Sequence, residues 1–257
     1  MNTRIFALGA HPDDIEFMMG GTLLLLQQAG CEFHYMTLAN GNCGTTEYSS
    51  EEIVKIRREE SRQAAAYLGA TYHESLVNDL EIFYTQDLIR QVTSVIRRIQ
   101  PDIMLIPSPE DYMEDHMNTS RIAVTAAFCR GIPNYASFPP VAPIQQEVTL
   151  YHALPYGLTD GLRRPIQPDL YVDVTSVIDR KEAMLACHKS QKQWLDASQG
   201  LDSYLITMRE MTAEVGTMSG KFEYAEGWRR HLHLGFAGQA IDPLQDLLHA
   251  YCHTPEE

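Results

Sequence analysis

Gly9-Ala10-His11-Pro12-Asp13-Asp14-Ile15-Glu16-Phe17-Met18-Met19-Gly20-Gly21 is the stretch around which the chain is organised. Ahead of it, Arg4-Ile5-Phe6-Ala7-Leu8 is a short apolar run that reads as a buried strand. Behind it, Thr22-Leu23-Leu24-Leu25-Leu26-Gln27-Gln28-Ala29 reads as a helix stopped by Gly30. The polar cluster therefore falls on the turn leaving a strand. In open α/β sheets that is where ligands collect, because the crevice lies beyond the carboxyl ends of the strands. An imidazole and two adjacent carboxylates are costly to desolvate unless something cationic compensates them. A divalent ion held by His11 and Asp14, with Asp13 turned elsewhere, is the simplest compensation. An ordinary solvated loop, with an aspartate capping the next helix, is the other reading.

Outward from this turn, strand and helix signals alternate. Cys31–Leu38 is a second strand, ending in the glycine-rich loop Ala39–Gly44. Ser49 with Glu52 forms a capping box that opens a charged helix running to Leu68 and ended by Gly69. Ala70–His73 is a weaker third strand that runs out at Asn78-Asp79. Apolar residues at helical spacing from Leu88 to Ile99 give a helix stopped by Pro101, and Asp102–Pro107 is a second candidate for a central strand. A helix is expected near Thr119–Cys129, then a Pro-rich connection, then strands at Glu147–Leu154 and Asp169–Val174. From Asp179 onward the pattern is helical, with breaks at Gly200, Gly216 and Gly220. The alternation predicts a single α/β domain over residues 1–257. Its core, about residues 4–178, is a Rossmann-like, mostly parallel sheet flanked by helices; about 179–257 form a C-terminal helical extension.

Composition narrows the partners. A formal charge of −14 argues against nucleic acid and anionic membrane surfaces, both of which need a basic footprint. A neutral or cationic small substrate fits better. There is neither a basic leader with a cleavage site nor an apolar run near 18 residues, so the expectation is a soluble cytoplasmic protein without membrane insertion. The five cysteines (Cys31, Cys43, Cys129, Cys187, Cys252) lack CxxC spacing and read as reduced packing residues.

In a sheet of order 3-2-1-4-5 the first and fourth strands are neighbours, and the gap between them is the switch point. The first strand ends at His11-Pro12-Asp13-Asp14; the fourth, after a few loop residues, reaches Asp115-His116. His11, Asp14 and His116 then form a two-histidine, one-carboxylate set which, with one position left for water, is the ligand set of a catalytic zinc site. The ion lowers the pKa of its water toward about 7, and Asp13, not needed as a ligand, is placed to take the proton.

The ordered pieces resemble the PIG-L/LmbE-like deacetylases. Ala10-His11-Pro12-Asp13-Asp14 with Gly20-Gly21 is similar to that family's opening motif. The likeness continues through Arg57-Arg58-Glu59-Glu60, Asp79, Asp115-His116, Val172-Asp173-Val174, Lys181, His188-Lys189-Ser190-Gln191 and Tyr224-Ala225-Glu226. The resemblance implies a metal-dependent N-deacetylase acting on an N-acetylglucosamine-type sugar or conjugate. It implies Zn2+ (or Fe2+ or another divalent metal) on His11, Asp14 and His116, with Asp13 as general base, and a homo-oligomer. One departure stands out. Where the family commonly carries His-x-Asp-His, this chain has Met113-Glu114-Asp115-His116, and a thioether neither donates a proton nor binds an oxyanion. Three outcomes follow: another side chain substitutes, the leaving amine takes its proton back through Asp13, or the enzyme is impaired. His188, His152, His231 and His233 are the candidate substitutes, with His188 or a rearrangement of the residues behind the ligands preferred.

Other residues carry two readings each. Asp115 holds an imidazole or a neighbouring loop. Arg58 binds a substrate hydroxyl or phosphate, or is an ion-pair partner on a charged helix face. Asp79 accepts from a sugar hydroxyl, or is a turn residue. His188 is catalytic, or a satisfied core histidine on a helix whose Met184, Cys187 and Trp194 mark a buried face. Two further functions stay open: an amidase on a larger sugar or thiol conjugate, and a weakly active or non-catalytic sugar-binding relative. A nucleotide-binding dehydrogenase is disfavoured, because the first loop lacks GxGxxG and puts carboxylates where pyrophosphate would sit.

Overall fold

A computed structural model describes residues 2–191 and 203–255; Trp194 and Gly200 lie outside them. The chain runs β1 (Arg4–Gly9), α1 (Asp14–Gln28), β2 (Glu32–Thr37), α2 (Ser50–Leu68), β3 (Thr71–His73), α3 (Gln86–Ile99), β4 (Ile103–Ile106), α4 (Glu114–Cys129), β5 (Thr149–Ala153) and β6 (Leu170–Asp173). It continues through α5 (Ile178–Leu185), α6 (Ser203–Ser219), β7 (Ala225–Arg230), α7 (Pro243–Leu248) and β8 (Cys252–His253). The strands form one sheet of order β3-β2-β1-β4-β5-β7-β6-β8. The first five are parallel, and β7, β6 and β8 add antiparallel pairs at one side.

β1 lies between β2 and β4, and its apolar run is divided between the two faces of the sheet. Ile5 and Ala7 join the core under α1 and α2, while Phe6 and Leu8 join the core under α3 and α4. β4 alternates in the same way, with Ile103 and Leu105 on one side and Met104 and Ile106 on the other. A strand buried on both faces needs no polar alternation, which is why both read as continuous apolar runs. α1 is buried from Leu23 to Leu26 because the sheet covers one side of it and the C-terminal segments the other.

The C-terminal part supplies strands as well as helices. β7 inserts between β5 and β6, where the sequence pattern from Asp179 onward is helical. Its sequence, Ala-Glu-Gly-Trp-Arg-Arg, lacks the alternation that marks a strand. Both Glu226 oxygens accept backbone N–H groups of α1, Gly21 at 2.7 Å and Thr22 at 2.7 Å, and the Lys181 ammonium lies 2.8 Å from Oε1. A buried carboxylate so neutralised lets an acidic residue sit inside the sheet. Gly21 makes the approach possible, since a Cβ there would come within 2.6 Å of Val174 Cγ1. α4 begins at Glu114, earlier than its apolar spacing indicates, because its first turn is polar and its N-cap, Met113, makes no side-chain cap. All five cysteines are free, and no helix among the described residues is long and apolar enough to cross a membrane.

Candidate active site

The β1–α1 turn and the start of α4 meet above the β1/β4 gap, and His11, Asp14 and His116 present ligand atoms that all lie within 4.8 Å of one another. The turn is built by its own backbone. Asp14 Oδ2 accepts the Ala10 and His11 N–H groups, each at 2.9 Å, so this carboxylate closes the loop that carries it. Asp13 takes φ of 105°, a left-handed conformation uncommon for a residue with a side chain.

Each imidazole is held from behind by a carboxylate. His11 Nε2 is 2.9 Å from Asp115 Oδ2, and His116 Nδ1 is 3.1 Å from Asp111 Oδ1. The opposite nitrogens face Asp14: His11 Nδ1 lies 3.8 Å from its Oδ2, and His116 Nε2 lies 3.5 Å from its Oδ1. Carboxylate-backed imidazoles converging on a third carboxylate are the arrangement by which proteins orient histidine for a divalent cation. The electrostatics agree. Burial pulls His116 down, but Asp14 and Asp111 outweigh it and lift its pKa to about 9. Burial opposes ionisation of Asp14, and the two imidazoles and two N–H groups hold it below its usual range all the same. The cluster therefore calls for positive charge at its centre, and its donor set fits zinc or another borderline divalent ion.

Asp13 stands beside this set. Its Oδ2 accepts the Tyr204 hydroxyl at 2.7 Å and lies 3.6 Å from Arg57 Nη2. Burial pushes the Asp13 carboxyl up, with Arg57 pulling the other way. Arg57 is 3% exposed, and its guanidinium donates to the Pro12 and Gly41 carbonyls. It reaches them past Gly44, where a Cβ would collide with Nη1 at 2.3 Å. His11, Asp13, Asp14, Arg57, Asp111, His116 and Tyr204 open on a cavity of about 440 Å³, whose wall includes apolar and aromatic side chains (Phe17, Met18, Tyr112, Met113, Leu154 and Tyr156) and the polar Ser108, Gln191 and Thr207.

The predicted residues are not all brought together. Asp115 backs His11, as expected of a residue that holds an imidazole. Asp79 lines the cavity, but its two oxygens accept the Gly41 and Cys43 N–H groups and so fix the loop beside Arg57. Arg58 does not reach the cavity: it lies on the exposed side of α2 and pairs with Glu74. The arginine in the site is Arg57, and the helical period carried a sign of it, since Ile53, Arg57, Ser61, Ala64 and Leu68 share the buried face. His188 does not line the cavity either. It is fully buried, with Nε2 3.3 Å from Glu16 Oε2, and its pKa is raised, burial being outweighed chiefly by Glu16. His152 lies behind the wall, bonded to the Pro107 carbonyl and to His231, and His233 is likewise outside the cavity. Among the described residues, none of the four histidines takes the place that Met113 leaves. Asp111 and Tyr204 had no motif to announce them, since one is a loop aspartate and the other a lone helix tyrosine.

Residues 6–127 match the PIG-L family, described as GlcNAc-PI de-N-acetylase. Diacetylchitobiose deacetylase of Thermococcus kodakarensis is 29% identical over 233 residues, 88% of this chain and 82% of that protein. A protein of Escherichia coli K12 named uncharacterized deacetylase YaiS is 31% identical over 141 residues, 52% of this chain and 72% of its own length. 4-Oxalmesaconate hydratase of Pseudomonas putida is 28% identical over 203 residues, 75% of this chain and 76% of that enzyme.

Proposed function

The chain belongs to the PIG-L/LmbE-like family, and from that premise we propose that it is a zinc-dependent hydrolase removing the N-acetyl group from an N-acetylglucosamine-type sugar or sugar conjugate. The observation that carries the reading is the convergence of His11, Asp14 and His116 within 4.8 Å, with Asp13 held beside them by partners of its own. A divalent ion held by His11, Asp14 and His116 would supply the positive charge that activates a water and polarises the acyl oxygen.

The protein's own groups do the rest. Asp115 and Asp111 keep the two ligand imidazoles in one tautomer and one orientation. Tyr204 and Arg57 both engage Asp13 at Oδ2, which leaves Oδ1 as the oxygen to accept the proton of the attacking water. The same oxygen then returns that proton to the departing amine. With methionine at 113, Asp13 carries the proton in both directions, and acetate and a free amine leave.

A hydratase among the relatives supplies the second reading, because activated water can also add to a double bond. The cavity favours the deacetylase. A multiply charged acid such as 4-oxalmesaconate calls for basic side chains, whereas Arg57 is the one Lys or Arg among the described cavity residues, lies against Asp13, and shares the cavity with Asp14, Asp79 and Asp111. An acetate-release screen of N-acetylated sugars with and without added zinc decides between them. Zinc-stimulated acetate release from N-acetylglucosamine conjugates is expected. No acetate from any of them, together with hydration of an unsaturated dicarboxylate, would replace this reading with the hydratase.

A further inference from the structure

Aromatic rings run in an unbroken file along the cavity wall. The file starts on the ligand imidazole: Tyr112 meets His116 edge-on with centroids 5.7 Å apart, and Tyr156 follows at 5.9 Å. Phe17 lies 5.5 Å beyond Tyr156, and Tyr204 lies 6.0 Å beyond Phe17. Tyr204 donates to Asp13, so the file runs from a metal ligand to the base and passes alongside whatever the reacting group is attached to. Phe17 and Tyr204 are buried, whereas Tyr112 is 60% and Tyr156 42% exposed. Two large rings bared side by side next to a reactive centre form a surface for a ligand.

The chemistry of that surface is selective. The face of a phenol ring is electron-rich and attracts the C–H face of a sugar or the edge of another ring. It repels phosphate and carboxylate, and so do Asp79 and Asp111 in the same cavity, whereas the charge of Asp14 is offset by the ion that it would hold. The Arg57 guanidinium is committed to Pro12, Gly41 and Asp13. We propose that Tyr112 and Tyr156 form a subsite for a neutral ring, pyranose or aryl, linked to the N-acetylated sugar, and that conjugates carrying phosphate or carboxylate at that position are excluded. The proposal rests on the deacetylase reading of the same cavity and specifies its substrate class.

Saturation-transfer NMR on zinc-loaded Asp13→Asn protein, which holds ligand without turning it over, tests the subsite. The probes are an aryl N-acetyl-β-glucosaminide, N,N′-diacetylchitobiose, N-acetylglucosamine and N-acetylglucosamine 1-phosphate, while acetate release by the wild type is followed in parallel. Saturation is expected on the aryl protons or second-sugar protons as strongly as on the acetamide methyl. Tyr156→Ala is expected to abolish it there and weaken binding of the two-ring ligands by about 3- to 10-fold, with Tyr156→Phe retaining it. The phosphate is expected to bind more weakly than the plain sugar. The aryl and disaccharide arms report which ring source is preferred. Saturation confined to the first sugar, or the phosphate binding as tightly as the two-ring ligands, overturns the subsite even if acetate is released. Contacts to the second ring without acetate release from any probe leave the subsite standing and remove the deacetylase.

Discussion

Asp13 is pulled in two directions, upward by burial and downward by Arg57, with the Tyr204 hydroxyl fixing one of its oxygens. In the proposed reaction a carboxylate so placed serves as the base, left free by the three candidate ligands. Asp13→Asn is therefore expected to keep its metal and lose acetate release by about 100- to 10,000-fold, measured by metal analysis beside an acetate assay. Loss of metal together with activity would instead make Asp13 a ligand. Arg58→Ala is expected to leave turnover intact and to change the melting temperature little, because that side chain is exposed and paired with Glu74 on the surface of α2. A large drop in turnover would put Arg58, and not only Arg57, in the site. At this scale the sequence was legible wherever chemistry is dense. His11, Asp13 and Asp14 crowd into one turn, and Asp115-His116 mark its counterpart. Asp111 and Tyr204 were not legible, because a buried partner is defined by what packs against it, and Arg57 showed only through its place on the buried face of α2.

Between elements, the contact that ties the C-terminal part to the site is Glu226 of β7 against the middle of α1. It holds the helix whose first turn carries Asp14, and it neutralises Lys181, which is 1% exposed. Glu226→Gln keeps the shape and strands the ammonium, a loss of about 3–5 kcal/mol that lowers the melting temperature by roughly 6–20 °C for a domain of this size. Adding Lys181→Met is expected to restore part of it, because removing both charges costs less than removing one. A single variant as stable as wild type would show the pair to be dispensable. β7 also marks where sequence reasoning stopped. The parallel half could be read because β1 and β4 are apolar on both faces, whereas β7 owes its place to an ion pair and to Gly227 packing against Leu154.

Across the whole molecule, neutral buried histidines tie stability to pH. Burial, helped by His231 and Arg229, outweighs the Pro107 carbonyl and holds His152 down to about 4; burial, helped by His34 and Arg98, does the same for His73. A group whose folded pKa lies below its unfolded value of about 6.5 contributes stability that is complete above that value and is lost as pH falls toward 4. For His152 the full loss is on the order of 3 kcal/mol. Between about pH 6.5 and 4 the urea midpoint is expected to fall less steeply in His152→Gln than in wild type at equal zinc, while the raised pKa of His116 acts in the opposite sense above about pH 6.5. An equally steep fall in the two proteins would place a charged His152 in the fold. The fold itself followed from β1, the turn after it and the order of the first five strands, since those features set which loops meet. That meeting of two loops around a cation is tested most directly by X-ray absorption at the zinc edge on zinc-loaded protein, wild type beside Asp14→Ala. His11, Asp14 and His116 predict a nitrogen and oxygen shell at about 2.0–2.1 Å that is lost in the variant. A sulfur shell at about 2.3 Å, from Cys43 on the cavity wall or another thiol, or a signal unchanged by Asp14→Ala, would contradict it.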